Sequence, residues 1–371
     1  MDGRLIAALD IGGTKIAGGL VDESGRTVVT AARPTPVVAM AVTVPSTAAV
    51  AGVSAASSTA AVSATSSAES ALTAAPARPS TAADAGAEPV AGTAIDAATV
   101  AAAVHAVLDE LAAAPGWAAV VAVGIGSAGP VDLPRGAVSP VNIPAWRDFP
   151  LVRLVAEHPA VAARALPVTL AGDAVAMAAG EHLHGAARDA ENALCMVVST
   201  GVGGGLILGG RVLAGATGNA GHIGHISVEM NGEPCPCGGR GCVERMASGP
   251  AIARHALALG WRPSTADASA EAVAAAARDG DPAASAAFAR AAQALAAAIA
   301  ATAALVEIDT VVIGGGVAEA GAVLFDPLRS WLARYATLAF TRGIKVLPAQ
   351  QGRHAGLVGA AACAVTALQP A

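Results

Sequence analysis

The chain opens on an apolar run, Leu5 to Leu9, closed by Asp10 and the pair Gly12-Gly13. A short unbroken run bounded by turn residues predicts a strand buried on both faces. Ile16 to Val21 repeats the pattern, Glu23-Ser24-Gly25-Arg26 marks a hairpin turn, and Thr27 to Ala31 reads as a third strand. This start is a meander, not the strand–helix–strand opening of a dinucleotide fold. Order resumes at Asp96, a good N-cap for a helix reaching about Ala113. Val120 to Ile125 predicts a strand and Gly126 to Pro130 a loop. Pro167 to Leu170 predicts a strand that ends at Gly172-Asp173, with a helix from about Ala174. Leu194 to Val198 and Gly205 to Leu208 predict a hairpin around a Ser199–Gly204 turn. Residues 246–308 read as mainly helical, and Thr310 to Ile313 as a strand closed by Gly314-Gly315-Gly316. A helix, a strand near Ile344 to Leu347 and a last helix over His354 to Leu368 follow. Helices and strands alternating in two halves predict an α/β protein of two lobes.

Composition changes this picture in two places. Between Val37 and Gly92 there is no aromatic residue, and the charges are Glu69, Arg78, Asp84 and Glu88. No helical or strand period persists, so a disordered insertion projecting from the surface is expected over 37–92. The mean hydropathy of +0.57 raises the membrane question. Alanine drives it, and the longest uncharged apolar run near a helical pattern, Ala294 to Val306, is shorter than the roughly 20 residues a span needs. No basic and apolar leader precedes the first strand. A soluble, cytoplasmic protein without a membrane partner is expected. The net charge of −6 offers no excess of cations to neutralise phosphates, which argues against nucleic acid as a partner.

The cysteines carry the first chemistry. Five are present, and Cys235, Cys237 and Cys242 crowd into one short turn-rich stretch behind His225. In a cytosolic chain the spacing His-x9-Cys-x-Cys-x4-Cys reads as a metal site rather than a disulfide framework. Three thiolates and an imidazole would close a tetrahedral zinc shell, leaving no open position for water, so the site is structural. Cys195 and Cys363 read as core residues.

Three glycine-rich turns carry the second. Asp10-Ile-Gly12-Gly13-Thr14-Lys15 lets backbone amides approach a phosphate, offers a hydroxyl, and sets Asp10 where Mg²⁺ could bind. A hairpin turn that needs glycine explains it equally well. Ser199-Thr200-Gly201-Val202-Gly203-Gly204-Gly205 suits phosphate too, with a β-bulge as the alternative. Gly314 to Gly316 lie where a strand ends, the place at which α/β sheets collect ligands, or else they form a plain helix-entry turn. Asp173, between a strand and a helix, is either a general base or an N-cap. Glu244 and His222, flanking the metal motif, would be held rigidly by it; the alternatives are a surface Glu and a core His.

Together these residues resemble the ROK family of repressors, open reading frames and sugar kinases. The resemblance covers nearly the whole chain outside 37–92. It rests on Asp10 to Lys15, Gly124-Ile-Gly-Ser-Ala-Gly-Pro130, Ser139-Pro-Val-Asn142-Ile-Pro144, Gly172-Asp173, Ser199 to Gly205, Gly221 to His225, Cys235 to Glu244 and Gly314 to Gly316. It implies an actin/hexokinase-like ATPase fold with a cleft between two lobes. The small lobe would take 1–36 and 93–180, with 353–371 packing back on it, and the large lobe 181–352 with the zinc site. Family repressors carry a helix-turn-helix ahead of the first glycine turn; nine residues precede Asp10 here, so the kinase branch is expected.

The resemblance further implies roles. Asp173 matches the catalytic aspartate that activates the sugar hydroxyl. Asn142, Asp173, His222, His225 and Glu244 would contact the sugar. His225, Cys235, Cys237 and Cys242 would hold zinc. Asp10, Gly12, Gly13, Thr14, Lys15, Thr200, Gly201, Gly203 and Gly204 would face the phosphates of ATP with Mg²⁺, and Gly314, Gly315 and Gly316 the adenosine. The expected activity is transfer of the γ-phosphoryl group to the 6-hydroxyl of a hexose or N-acetylhexosamine, by a homodimer or homotetramer. The alternative is an inactive sugar-binding sensor. Two positions depart from the family. Its Asn-Asp pair is Gly172-Asp173 here, so an amide for sugar hydroxyls is missing. Its Glu-x-Gly-His is His222-Ile-Gly-His225, similar to some bacterial N-acetylmannosamine kinases.

Overall fold

Alternate residues of the first strand, β1 (Leu5–Ile11), fill two different cores: Leu5, Ala7, Leu9 and Ile11 pack in one, Ile6 and Ala8 in another. A strand covered on both faces has no polar side, hence the unbroken apolar run. The computed structural model describes residues 3–36 and 96–369. The insertion expected over 37–92 lies outside the described residues.

β2 (Lys15–Asp22) and β3 (Thr27–Pro34) complete the meander. Then come α1 (Ala97–Ala113), β4 (Val120–Ser127), β5 (Val131–Asp132), β6 (Ala137–Val138), α2 (Leu151–Ala156), α3 (Pro159–Ala162) and β7 (Val168–Gly172). The chain continues through α4 (Asp173–His184), β8 (Ala193–Val198), β9 (Val202–Leu208), β10 (Arg211–Leu213), α5 (Glu244–Ala247), α6 (Gly249–Ala258) and α7 (Ala270–Arg278). It ends with α8 (Pro282–Val306), β11 (Thr310–Gly314), α9 (Ala322–Tyr335), β12 (Lys345–Pro348) and α10 (Ala355–Leu368). α1 starts as expected, with the Asp96 carboxylate accepting the Thr99 N–H at 2.7 Å.

The strands form two five-stranded sheets, ordered β3-β2-β1-β4-β7 and β10-β9-β8-β11-β12. Both follow one plan. A central first strand has an antiparallel meander on one side and two parallel strands on the other. Two helices then cross over. α4 follows β7 of the first sheet but packs on β8 and β9 of the second, whereas α10 follows β12 of the second but packs on β1 and β4 of the first. The two helices lie against each other, and Gly359 allows it: a Cβ there would run into the Ala176 carbonyl. Ala360, Ala361 and Ala364 of α10 are buried against the first sheet. Small side chains bring these helices within backbone contact, which gives structural meaning to the high alanine content.

Three features differ from the sequence reading. The hairpin turn is confined to residues 199–201, because Val202, Gly203 and Gly204 already pair with Val198, Val197 and Met196. The uncharged run 294–306, too short alone to span, is the second half of a longer apolar helix, α8, whose 25 residues from Pro282 are long and apolar enough to cross a bilayer. Its Ala284, Phe288, Ala291, Leu295 and Ile299 are instead buried in the core of the second sheet, and its Arg290 pairs with Glu229. The β5–β6 ribbon, α2, α3 and β10 were not anticipated. They run for two to six residues, too short for any period to register.

Candidate active site

Gly172 caps α4 in an extended conformation, so Asp173 is the first helical residue and not the cap. Its carboxylate accepts the neighbouring Ala174 N–H at 2.7 Å. The side chain is open to solvent yet closely surrounded by protein. That crowding pushes its pKa up, against the Ala174 N–H and the nearby His222, which favour the anion. Asp10 stands at the end of β1, two strands from β7 in the same sheet. Burial, and then the negative charge of Asp173, raise Asp10 to about 6, while Lys15 pulls the other way. Gly356, in the first turn of α10, rests directly on the Asp10 carboxylate.

His222 is exposed, which overturns the core-histidine alternative. Its Nδ1 lies 3.0 Å from the Asn219 carbonyl. A carbonyl only accepts, so Nδ1 carries the proton and Nε2 of the neutral ring is left as an acceptor. The rings of His222 and His225 are 6.1 Å apart and inclined by 25°.

The ligand atoms of His225, Cys235, Cys237 and Cys242 all lie within 4.8 Å of one another. Cys237 Sγ is 3.7 Å from Cys242 Sγ, and Cys235 Sγ is 3.9 Å from His225 Nδ1. A tetrahedron with metal–sulfur bonds of about 2.3 Å has edges of about 3.8 Å, so these separations fit a four-coordinate ion. Crowding by burial and the neighbouring thiols pushes Cys242 up to about 12. A cation would relieve this by displacing the protons. The donor set suits zinc. Backbone pairing between Ser227 and Cys242 and between Pro234 and Arg240 folds the segment so that the four converge.

Among the glycine turns, Gly12 to Thr14 joins β1 to β2, and its Thr14 and Lys15 are exposed. Asn142 packs against Gly13, so the structure brings this sugar-contact candidate to the first turn. Gly315 has a φ of 90° and lies against the Val198 backbone. The 314–316 turn therefore sits beside the 199–201 turn, at neighbouring ends of the parallel strands β11 and β8. Gly203 packs on Ala174, next to Asp173. Glu244 is neither a free surface residue nor open on all sides. It is half-buried, and its Oε2 accepts the Val202 N–H at 2.9 Å. Two open depressions among the described residues lie elsewhere, one along α9 and one beside β7, and neither is lined by a carboxylate.

Two sheets of one plan, joined by crossing helices around a cleft, define an actin/hexokinase-like ATPase fold. The chain belongs to the ROK family, whose family model matches residues 91–367. It is 34% identical over 277 residues to a glucokinase of Streptomyces coelicolor, covering 69% of this chain and 85% of that one. It is 34% identical over 238 residues to an N-acetylmannosamine kinase of Yersinia pestis, covering 62% of this chain and 75% of that one. Among solved structures it is similar to a ROK family glucokinase from Streptomyces griseus in complex with glucose and AMPPNP. There the TM-score is 0.70 at 30% identity, covering 98% of this chain and 99% of that one. These relatives are sugar kinases, and they support a sugar kinase of the ROK family.

Two partners escaped the sequence reading. Asn219, whose carbonyl sets the His222 tautomer, also holds Val131 through its side chain at 3.0 and 2.6 Å. The only signal was a Thr217-Gly218-Asn219 turn three residues upstream of His222. The amide of Val202 had no signal, since a backbone donor is invisible in the residue pattern.

Proposed function

We propose that this chain is an ATP-dependent sugar kinase that phosphorylates the 6-hydroxyl of a hexose or N-acetylhexosamine, with glucose and N-acetylmannosamine the leading substrates. The observation that carries the reading is Asp173. It is an exposed carboxylate crowded by protein and near His222, whose ring lies 6.1 Å from that of His225 in the metal-ligand set. Asp173 accepts the hydroxyl proton as the oxygen attacks phosphorus. The transition state of phosphoryl transfer is loose, so positioning and charge stabilisation supply most of the acceleration. Amides of the 12–14 and 199–201 turns face the phosphates, with Thr14, Thr200 and Lys15 adding donors, and Gly314 to Gly316 receive the adenosine. Mg²⁺, which Asp10 would help to hold, would screen charge on the phosphate oxygens. Zinc, which His225, Cys235, Cys237 and Cys242 would hold, would be structural and would brace the segment that carries His222 and Glu244.

Of the described residues, 3–36, 96–172 and 355–368 would form one lobe and 173–348 the other, the boundary falling at the start of α4, which packs on the second sheet, and not within that helix at 180. Their closure excludes the water that would otherwise hydrolyse ATP. The His222 acceptor suits a sugar that presents a donor, either a hydroxyl or the N–H of an acylated amine. The enzyme works in the cytoplasm, as a homodimer or homotetramer. ADP release coupled to NADH oxidation, with and without each sugar, tests the reading: strictly sugar-dependent release supports it, and none with any hexose supports the inactive sensor.

A further inference from the structure

Glu244 stands two residues beyond Cys242, the last of the metal-ligand set. Its Oε2 holds the Val202 N–H, the first donor after the 199–201 turn. The same stretch grips the turn once more: Gly249 N–H, at the start of α6, donates to the Ser199 carbonyl at 2.7 Å. Within the turn, Ser199 N–H reaches the Gly201 carbonyl at 2.8 Å, leaving Thr200 exposed at the tip. A Cβ on Gly201 would sit 2.7 Å from Oε2, so a side chain there would push the carboxylate from this position. Glu244 Oε1 has no hydrogen-bond partner among the described residues.

We infer that Glu244 is a positioning residue that ties occupancy of the sugar site to the shape of the phosphate-binding turn. The inference rests on the sugar-kinase reading. One oxygen anchors the Val202 amide, and the other is left to accept a sugar hydroxyl. A bound sugar then immobilises the carboxylate, which stiffens the 199–201 turn before the nucleotide arrives. The Cys242 end of the metal-held segment fixes where the carboxylate starts. Sugar and nucleotide binding are therefore cooperative, and by linkage each tightens the other by the same factor.

The test measures equilibrium binding of a non-hydrolysable ATP analogue to the intact zinc-loaded protein, with and without saturating substrate sugar. The wild type should bind the analogue about fivefold or more tightly with sugar present. Glu244→Gln should reduce that enhancement to less than twofold. With its oxygen kept on the Val202 N–H, the atom it turns to the sugar is an NH₂ that donates, in place of the carboxylate oxygen that accepts. A variant that keeps the full enhancement overturns the inference, as does a wild type without any. A second measurement needs no variant. Hydrogen exchange at the Val202 amide should slow several-fold when sugar saturates the wild type, and unchanged exchange also overturns the inference. If sugar binds and is phosphorylated while Val202 exchange stays unchanged, the connection fails and the kinase reading stands. Absence of phosphorylation with every sugar would instead strike the kinase reading itself.

Discussion

Asp10, near the end of β1, and Asp173, just past the end of β7, lie at the same end of the first sheet, two strands apart, and the charge of Asp173 helps to raise the Asp10 carboxyl to about 6. A carboxyl raised by burial and by a neighbouring acid is costly to the fold when ionised, and such groups cluster at functional sites. For Asp10 the sign is clear. A folded-state value above the usual 3.8 means that the neutral form is preferred in the fold. Its favourable contribution is full below pH 4 and is lost as the pH rises through about 6. Asp10→Asn should thus stabilise the ligand-free protein at pH 7.5 by about 1–2 kcal/mol after allowance for solvent screening, and the gain should vanish near pH 4. Thermal melts of both proteins across that range check it; a variant less stable at pH 7.5 contradicts the electrostatic account.

Asp173→Asn should lower kcat by about 10³-fold while sugar affinity stays within a few-fold, because the amide keeps the shape and loses the proton acceptor. In the wild type, kcat/KM should fall on the acid side with an ionisation above the ordinary aspartate range, since the base must be ionised and crowding raises its pKa. Near-normal turnover of the variant would remove Asp173 as the base.

Gly172 should accept the missing amide. Its φ of −64° suits any residue, and a Cβ would meet no atom closer than 3.8 Å. Gly172→Asn should leave stability unchanged or raise it by a few tenths of a kcal/mol, since Asn is a better N-cap than Gly. It should also lower the sugar KM several-fold. A raised KM would show that the space at this position serves another purpose.

His222→Glu should reorder the preferred sugars more than it changes the best turnover. Both side chains accept toward the cleft, but the carboxylate adds charge and a second acceptor. Equal losses on glucose, mannose, N-acetylglucosamine and N-acetylmannosamine would exclude a role in specificity.

Zinc analysis of protein purified without chelator should give one ion per chain, and Cys237→Ala should lose the ion together with folded protein or sugar affinity. Full activity in a zinc-free preparation would overturn the structural role.

Much of this was legible in the residues, for identifiable reasons. Strands such as Leu5–Ile11 are buried on both faces and announce themselves as apolar runs. Cys235, Cys237 and Cys242 lie so close in sequence that their spacing alone implies convergence with His225. What stayed hidden depends on backbone and on distance along the chain. The repeated plan of the two sheets involves no repeated residues. Gly203 and Gly204 read as turn residues because glycine favours turns, yet they pair with Val197 and Met196 in the sheet, where small size admits Ala174 and Ile223. Glu244 read as a sugar ligand or a surface acid, and its partner is a main-chain N–H 42 residues away.

The central claim is that Asp173 sits in a working kinase site, and sugar-dependent ADP release tests it most directly. Purified protein with ATP and Mg²⁺ is assayed with each of the four sugars, and the product is analysed for the position of the phosphate. The account predicts release that requires sugar, is greatest with glucose or N-acetylmannosamine, yields the 6-phosphate, and disappears in Asp173→Asn. Release that is absent with every sugar, or that proceeds equally in Asp173→Asn, would contradict it.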